Sequence, residues 1–192
     1  MTNKNTEKLE NIIHPTAIIH PSVKMGVGNY IGPYSIIDEN VIIGDNNYIG
    51  PHCIIGDVGE SINFFDKDKK GVIIGNNNRF TKKVSISGGT VNATEICNNT
   101  LWMNNAHACH DCKISDNVQL RANSLLAGHV TVLRGAQIYL GAIVHQRMTV
   151  PEECIIGMGA IVTKKVELVA KGIYAGNPAR LIRMSDKEQI IL

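Results

Sequence analysis

The chain has 192 residues, of which 44% are hydrophobic and 19% charged, with a formal net charge of +2. That composition is globular and excludes a disordered chain, and the charge is too small to argue for a nucleic-acid partner. Aromatic residues make up only 5% while glycine numbers 18, so stacked Ile, Val and Leu are expected in the core instead of large rings.

The opening MTNKNTEKLENI holds a lysine but no apolar segment before its polar run, so no signal peptide is expected. No stretch approaches the roughly 18 apolar residues of a membrane span. Five cysteines, an odd number, stand at 53, 97, 109, 112 and 154. They do not form a disulfide framework, and they suit a reducing cytoplasm.

Stepping by six from Ile13 gives Ile19, Met25, Ile31, Ile37, Ile43, Ile49 and Ile55, all apolar. Small residues such as Ala17, Val23, Ser35, Val41 and Cys53 sit two positions earlier. The segment Asp57–Gly71, DVGESINFFDKDKKG, breaks the period. The pattern resumes at Ile74, Phe80 and Ile86, and runs again from Trp102 through Ala108, Ile114, Leu120, Leu126, Val132, Ile138 and Val144 to Tyr174. A period of six fits neither the 3.6 of a helix nor simple strand alternation. It predicts a coil with flat sides of one hexapeptide each, one apolar residue per side pointing inward, and parallel ladders stacking like residues on like. Gly and Asn, in NNY, DNN and GNNN, are expected at the corners, where positive φ is often required.

Hexads such as IGPYSI, IGDNNY and IGPHCI resemble those of the hexapeptide-repeat acyltransferases. The resemblance implies an all-β fold, a left-handed parallel β-helix with three hexads per coil, and a homotrimer with active sites in the clefts between neighbouring coils. The β-helix domain is expected to span 12–183, with 57–71 projecting as a loop and 184–192 as a short tail.

The densest chemistry lies in MNNAHACHDC, Met103–Cys112. Adding one coil of 18 residues to His110 reaches Gly128, beside His129, and another reaches Gln146, beside His145. These positions rise along one outer edge, because the inward positions are Ala108, Ile114, Leu126 and Val144. A zinc reading would use His107, Cys109, His110 and Cys112, but a stiff strand does not turn all four toward one ion, so no metal is expected. Cys53 and Cys154 read as core fillers, and Cys109 and Cys112 as the same or idle. A histidine followed by an aspartate fits a general base held by its carboxylate. With Cys109 and Cys112 turned away from that edge, direct transfer without an acyl-enzyme is expected.

The segments NNTLWMNNAHACHDCKISDNVQLRANSLLAGHVTV and GAIVHQ closely resemble the UDP-N-acetylglucosamine O-acyltransferases that open lipid A synthesis. The resemblance implies catalytic roles for His110 as base, Asp111 as its orienting carboxylate and Gly128 as oxyanion donor. It implies substrate-binding roles for His107, His129, His145 and Gln146, with Asn63 in the projecting loop. Three features depart from that family: the chain ends at Leu192 soon after its last coil, Ser61 and Asn63 replace a loop aspartate and lysine, and Ser87–Gly88 stands where the family has His-Arg. The departures imply an acceptor other than UDP-N-acetylglucosamine itself. The closing GIYAGNPARLIR, Gly172–Arg183, resembles acetyl-CoA-dependent hexapeptide acetyltransferases, so Lys164, Lys165, Arg180 and Arg183 are expected to meet the phosphates of a CoA donor.

The resulting expectation is a cytoplasmic acyltransferase. It would move an acyl group from acyl-CoA to an amino or hydroxyl group of a nucleotide-linked sugar bound for surface polysaccharide. The alternatives are an acyl-carrier-protein-dependent lipid A type enzyme, with that carrier protein as partner, and a metal-binding β-helix of the carbonic anhydrase kind.

Overall fold

A computed structural model of the chain describes residues 10–58 and 69–185. They hold 25 short strands in three sheets of ten, eight and seven strands. Up to Ile161–Val162, strands consecutive in the chain fall into different sheets in rotation, so each coil gives one strand to each side of a three-sided prism. All pairings are parallel except the last. Ladder partners such as Ala108 and Leu126, or Ile114 and Val132, lie one coil apart.

The six-residue step marks the interior. Ile31, Ile37, Ile49, Ile55, Phe80, Trp102, Leu120, Leu126, Val132, Ile138 and Val144 are fully buried. Cys53 and Cys154 are buried beside them, at the small-residue positions. The strand residues between inward positions face out, and the first coil is the most open, with Ile12 65% and Ile13 47% exposed.

The corners follow the expected chemistry. Asn40, Asn46, Asn77, Asn99, Asn105, Asn117 and Asn123 all adopt left-handed backbone, with φ between 56° and 60°. Asparagine tolerates this conformation better than most L-residues. A second asparagine row is buried. The Asn47 backbone N–H donates to Asn29 Oδ1 at 2.8 Å, that of Asn78 to Asn47 Oδ1 at 2.9 Å, and that of Thr100 to Asn78 Oδ1 at 2.9 Å. Each coil is thereby tied to the next by a side-chain amide as well as by its ladders.

Two insertions break the regular step. Partners one coil apart are normally separated by 18 residues, but Asn47 and Asn78 are separated by 31 and Asn78 and Thr100 by 22. The first excess is the segment expected as a projecting loop. Of its span 57–71, residues 59–68 lie outside the described residues, and with them Ser61 and Asn63. The returning chain is fixed by Lys69, whose Nζ lies 2.8 Å from Asp38 Oδ2 and 3.6 Å from Glu39 Oε1. The second excess, four residues long, follows the Ser85–Ser87 strand.

At the C-terminal end Gly172–Ala175 pairs in parallel with Ile155–Ile156 and antiparallel with Arg180–Met184. The AGNPAR turn therefore reverses the chain onto its own last strand. That strand runs one residue into the expected tail 184–192, and residues 186–192 lie outside the described residues.

Val132 is completely buried among inward apolar residues. Val132→Asp is expected to destabilise the fold by several kcal/mol, read as a large drop in melting temperature by circular dichroism. A variant that melts like the wild type would mean that Val132 does not point inward.

Candidate active site

Ala108, Leu126, Val144 and Val162 share one register. The residues that follow them stack accordingly at the next corner. His110, Gly128, Gln146 and Lys164 occupy one row; Asp111, His129, Arg147 and Lys165 occupy the next; Cys109, Ala127 and His145 occupy the row before. Asp111, His129 and Arg147 all have left-handed backbone, with φ of 60°, 59° and 61°. Aspartate and histidine enter that region more readily than most side chains, and arginine is uncommon there.

Asp111 organises the site. Only 6% exposed, its carboxylate is surrounded by donors. Oδ1 accepts the backbone N–H of Val91 at 2.9 Å and of Asn92 at 2.6 Å. Oδ2 accepts the Thr90 N–H at 3.0 Å and the Thr90 hydroxyl at 2.7 Å. His110 Nδ1 lies 2.7 Å from the same oxygen. Burial by itself would push the Asp111 carboxyl up, but the donors from Asn92, Thr90 and His110 outweigh it and hold the group well below the usual carboxylate range. Asp111 is therefore an anion that fixes the proton of His110 on Nδ1 and leaves Nε2 as the lone-pair nitrogen.

The Nε2 edge of His110 lies over Gly128. A Cβ added to Gly128 would fall 2.7 Å from His110 Nε2 and 2.8 Å from Cε1. Glycine is required here by the approach of the ring, so any side chain would displace the imidazole. His129 meets His110 edge-on, with ring centroids 5.0 Å apart and an interplanar angle of 87°. Its Nε2 is 4.0 Å from Asp111 Oδ2. Burial lowers the His129 pKa, Arg147 and His110 add to that, and Asp111 opposes it.

His110, Asp111 and His129 bring their ligating atoms within 4.8 Å of one another, the size of a metal site. The donor set does not suit one, because both Asp111 oxygens and His110 Nδ1 are already engaged in hydrogen bonds. A metal would have to displace several of them.

His145 is half-buried, with Nδ1 3.0 Å from the carbonyl oxygen of Gln146, and Gln146 is exposed. Lys164 and Lys165 are exposed on the same corner, Lys165 about 14 Å from Asp111 at the usual spacing of parallel strands. Lys165 and Arg180 line a cavity of about 410 Å³ with Val166, Tyr174 and Leu181, while Arg183 projects from the final strand and donates to the carbonyl of Met184. Asn63, expected to bind substrate, lies outside the described residues.

Two sets of residues escaped the sequence reading. The first is Thr90–Asn92, three residues within the irregular stretch that wraps Asp111. Its signal was a phase shift: the apolar step from Ile86 to Trp102 spans 16 residues, where two hexads would span 12. The second is Arg147, placed by the register directly after the two histidine-bearing coils. Cys112 is sealed inside, its thiol donating to the Ala127 carbonyl at 3.3 Å and pushed up to about 12 by burial. Cys109 is not idle: its Sγ lies 3.3 Å from His107 Nε2.

Comparison with known proteins bears on this geometry. The family model for the bacterial transferase hexapeptide, six repeats, matches residues 23–57. The acyl-(acyl-carrier-protein)–UDP-N-acetylglucosamine O-acyltransferase of Sinorhizobium fredii is 34% identical over 113 residues, 57% of this chain and 41% of that protein. That of Campylobacter concisus is 32% identical over 147 residues, 71% of this chain and 55% of that protein. The chain thus spans about half the length of the curated relatives it matches. The solved UDP-N-acetylglucosamine acyltransferase of Francisella novicida superposes with a TM-score of 0.80 at 29% identity, over 90% of this chain and 70% of that one. The chain carries the hexapeptide repeat over the matched residues and is similar to these acyltransferases, and its fold is the left-handed parallel β-helix.

A carboxylate with a depressed folded pKa stabilises the fold above its unfolded value, and that contribution is lost as pH falls through the folded value. For Asp111 the loss begins below about pH 4, the ordinary carboxylate value. Asp111→Asn is expected to lower the melting temperature at neutral pH and to flatten its decline below about pH 4. An acid limb identical to that of the wild type would show that Asp111 does not carry this titration.

Proposed function

We propose that this chain is an acyltransferase that moves an acyl group from an acyl thioester to an amino or hydroxyl group of a nucleotide-linked sugar. The observation that carries the proposal is the His110 ring, bonded through Nδ1 to Asp111 at 2.7 Å and set with Nε2 over Gly128. Nε2 takes the proton from the acceptor as it attacks the thioester carbonyl, and Asp111 stabilises the imidazolium that forms. The Gly128 N–H, which meets no acceptor among the described residues, donates to the developing oxyanion. The nucleotide-sugar acceptor is supported by the names of the relatives, which act on UDP-N-acetylglucosamine. In this proposal His107, His129, His145 and Gln146 line the acceptor side of the cleft.

Acyl-CoA is the donor this reading favours. Arg147, Lys164 and Lys165 continue the histidine corner as cations, and Lys165 and Arg180 meet at the terminal cavity. That row suits a phosphate-bearing donor laid along the helix. The relatives' names specify an acyl-carrier-protein thioester, and this is the second donor to test.

The proposal includes a homotrimer. The outward row of the eight-stranded sheet carries Ile18, Ile36 and Ile54 on one side of Ser85 and His107, and Leu125, Ile143 and Ile161 on the other. Ile18 is 62% exposed and Ile143 38%, an unusual apolar stripe for a solvated sheet face. Three copies sharing that row would cover it, and light scattering is expected to give a trimer mass; a monomer would refute the assembly.

Free-thiol release is to be followed with acetyl-CoA, longer acyl-CoAs and acyl-carrier-protein thioesters against UDP- and dTDP-linked amino sugars and simple sugars. Turnover with nucleotide-linked sugars is expected, and acylation of free sugars alone would overturn the acceptor. His110→Ala is expected to lower kcat by roughly a hundred- to ten-thousand-fold with little change in acceptor KM. His145→Ala is expected chiefly to raise KM. An active His110→Ala enzyme with the wild-type pH profile would remove His110 from the mechanism.

A further inference from the structure

The side of the prism opposite the His110 corner carries a second candidate binding site. That corner joins the eight- and seven-stranded sheets, so the ten-stranded sheet lies across the prism from it. On its outer face is a groove of about 750 Å³. Arg79 and Leu101 line it from the strands, Asn77, Asn99 and Asn117 from one corner, and Met103 from the other.

Arg79 is the cation of this groove, and it is held flat. Tyr30, Tyr48, Arg79 and Leu101 follow one another in a single outward register. The two tyrosine rings stack with centroids 4.9 Å apart and 7° between their planes. The Arg79 guanidinium lies over Tyr48, 5.3 Å from the ring centroid, so the stack orients its plane. The Arg79 side chain has no hydrogen-bond or ion-pair partner among the described residues. The outward row of this sheet, from Ile12 to Ile173, holds no acid. The acids beside the asparagine corner are engaged elsewhere. Asp45 Oδ1 accepts the Val27 N–H at 2.8 Å, and Asp116 Oδ1 accepts the backbone N–H and the amide of Asn98 at 2.8 Å and 3.0 Å. Lys82 and Lys83 follow on the same coil, both exposed.

A planar cation with no counter-ion fits a phosphate or a carboxylate, either of which it can grip through two N–H bonds. The side chains of Asn77, Asn99 and Asn117 make no hydrogen bond among the described residues, and an amide both donates and accepts. A row of such amides suits the hydroxyls of a sugar, and Leu101 and Met103 suit the C–H face of its ring. A nucleobase would instead call for a free aromatic face. Tyr48, the ring nearest the groove, has Tyr30 on one face and Arg79 on the other.

We propose that this groove binds a small sugar carrying one anionic group, a phosphate or a carboxylate, with the anion on Arg79 and the hydroxyls on the asparagines. The site is separate from the catalytic corner and stands independently of the acyltransferase reading.

The experiment measures binding to the full chain by equilibrium dialysis with glucose 1-phosphate, glucuronate, free glucose, inorganic phosphate and uridine monophosphate. One or both anionic sugars are expected to bind roughly tenfold or more tightly than glucose or phosphate alone, and the tighter of the two identifies the anion. Arg79→Gln, an exposed change expected to fold like the wild type by circular dichroism, is expected to weaken that binding by roughly tenfold or more. Asn99→Ala is expected to weaken the sugar but not inorganic phosphate. His110→Ala is expected to leave the binding unchanged, which separates the groove from the corner. Unaltered affinity in both Arg79→Gln and Asn99→Ala, loss of binding in His110→Ala, tighter binding of uridine monophosphate than of either sugar, or no binding of either anionic sugar would each overturn the proposal. None of these outcomes bears on the acyltransferase reading, which turnover tests.

Discussion

The site depends on one buried carboxylate. Asp111 collects four donors from Thr90, Val91 and Asn92 and a fifth from His110. An anion removed from water is costly unless such donors surround it, and charge-assisted bonds are the strongest kind available to it. The same bonds settle which nitrogen of His110 carries a proton, which way the ring faces, and why glycine must stand beneath it. Loss of any one donor would disturb the His110 ring and the local fold together.

The coil geometry explains why such a site can be built on so regular a frame. Parallel stacking brings positions one coil apart into rows, so a single corner presents His110, Gly128, Gln146 and Lys164 in sequence. The apolar ladders inside are rigid and closely packed, and they hold that corner to within the tolerance that proton transfer requires. Variation is confined to corners and insertions, where it does not disturb the interior. The irregular stretch after the Ser85–Ser87 strand, which adds four residues to the coil, is the clearest case, because it interrupts the period only to fold over Asp111.

The corner also orders its charges. It passes from the Asp111 anion through His110 and His129 to the cations Arg147, Lys164 and Lys165. A ligand carrying phosphate groups at one end and a reacting carbonyl at the other would be aligned by that gradient. Burial lowers the His129 pKa, and of the corner's charges Asp111 opposes that shift while Arg147 adds to it.

The sequence by itself determined the coil. A six-residue apolar step fixes which residues point inward, because burial is set by hydrophobicity and each flat side buries one residue per hexad. Asparagine at the corners was legible for the same local reason, its tolerance of positive φ. His110, Asp111 and Gly128 could be placed on one edge by counting, with a known family's motif to assign their roles. Only the tertiary structure decided what surrounds them. The donors from Thr90–Asn92 come from an irregular segment whose path no periodicity describes, although its phase shift of four was visible between Ile86 and Trp102. The Cys109–His107 contact went unread because the coil count drew attention to the His110 edge, although alternation itself places positions 107 and 109 on one face. The reversal at AGNPAR likewise required the last strand to pair with its neighbour, a long-range choice that the local sequence does not specify.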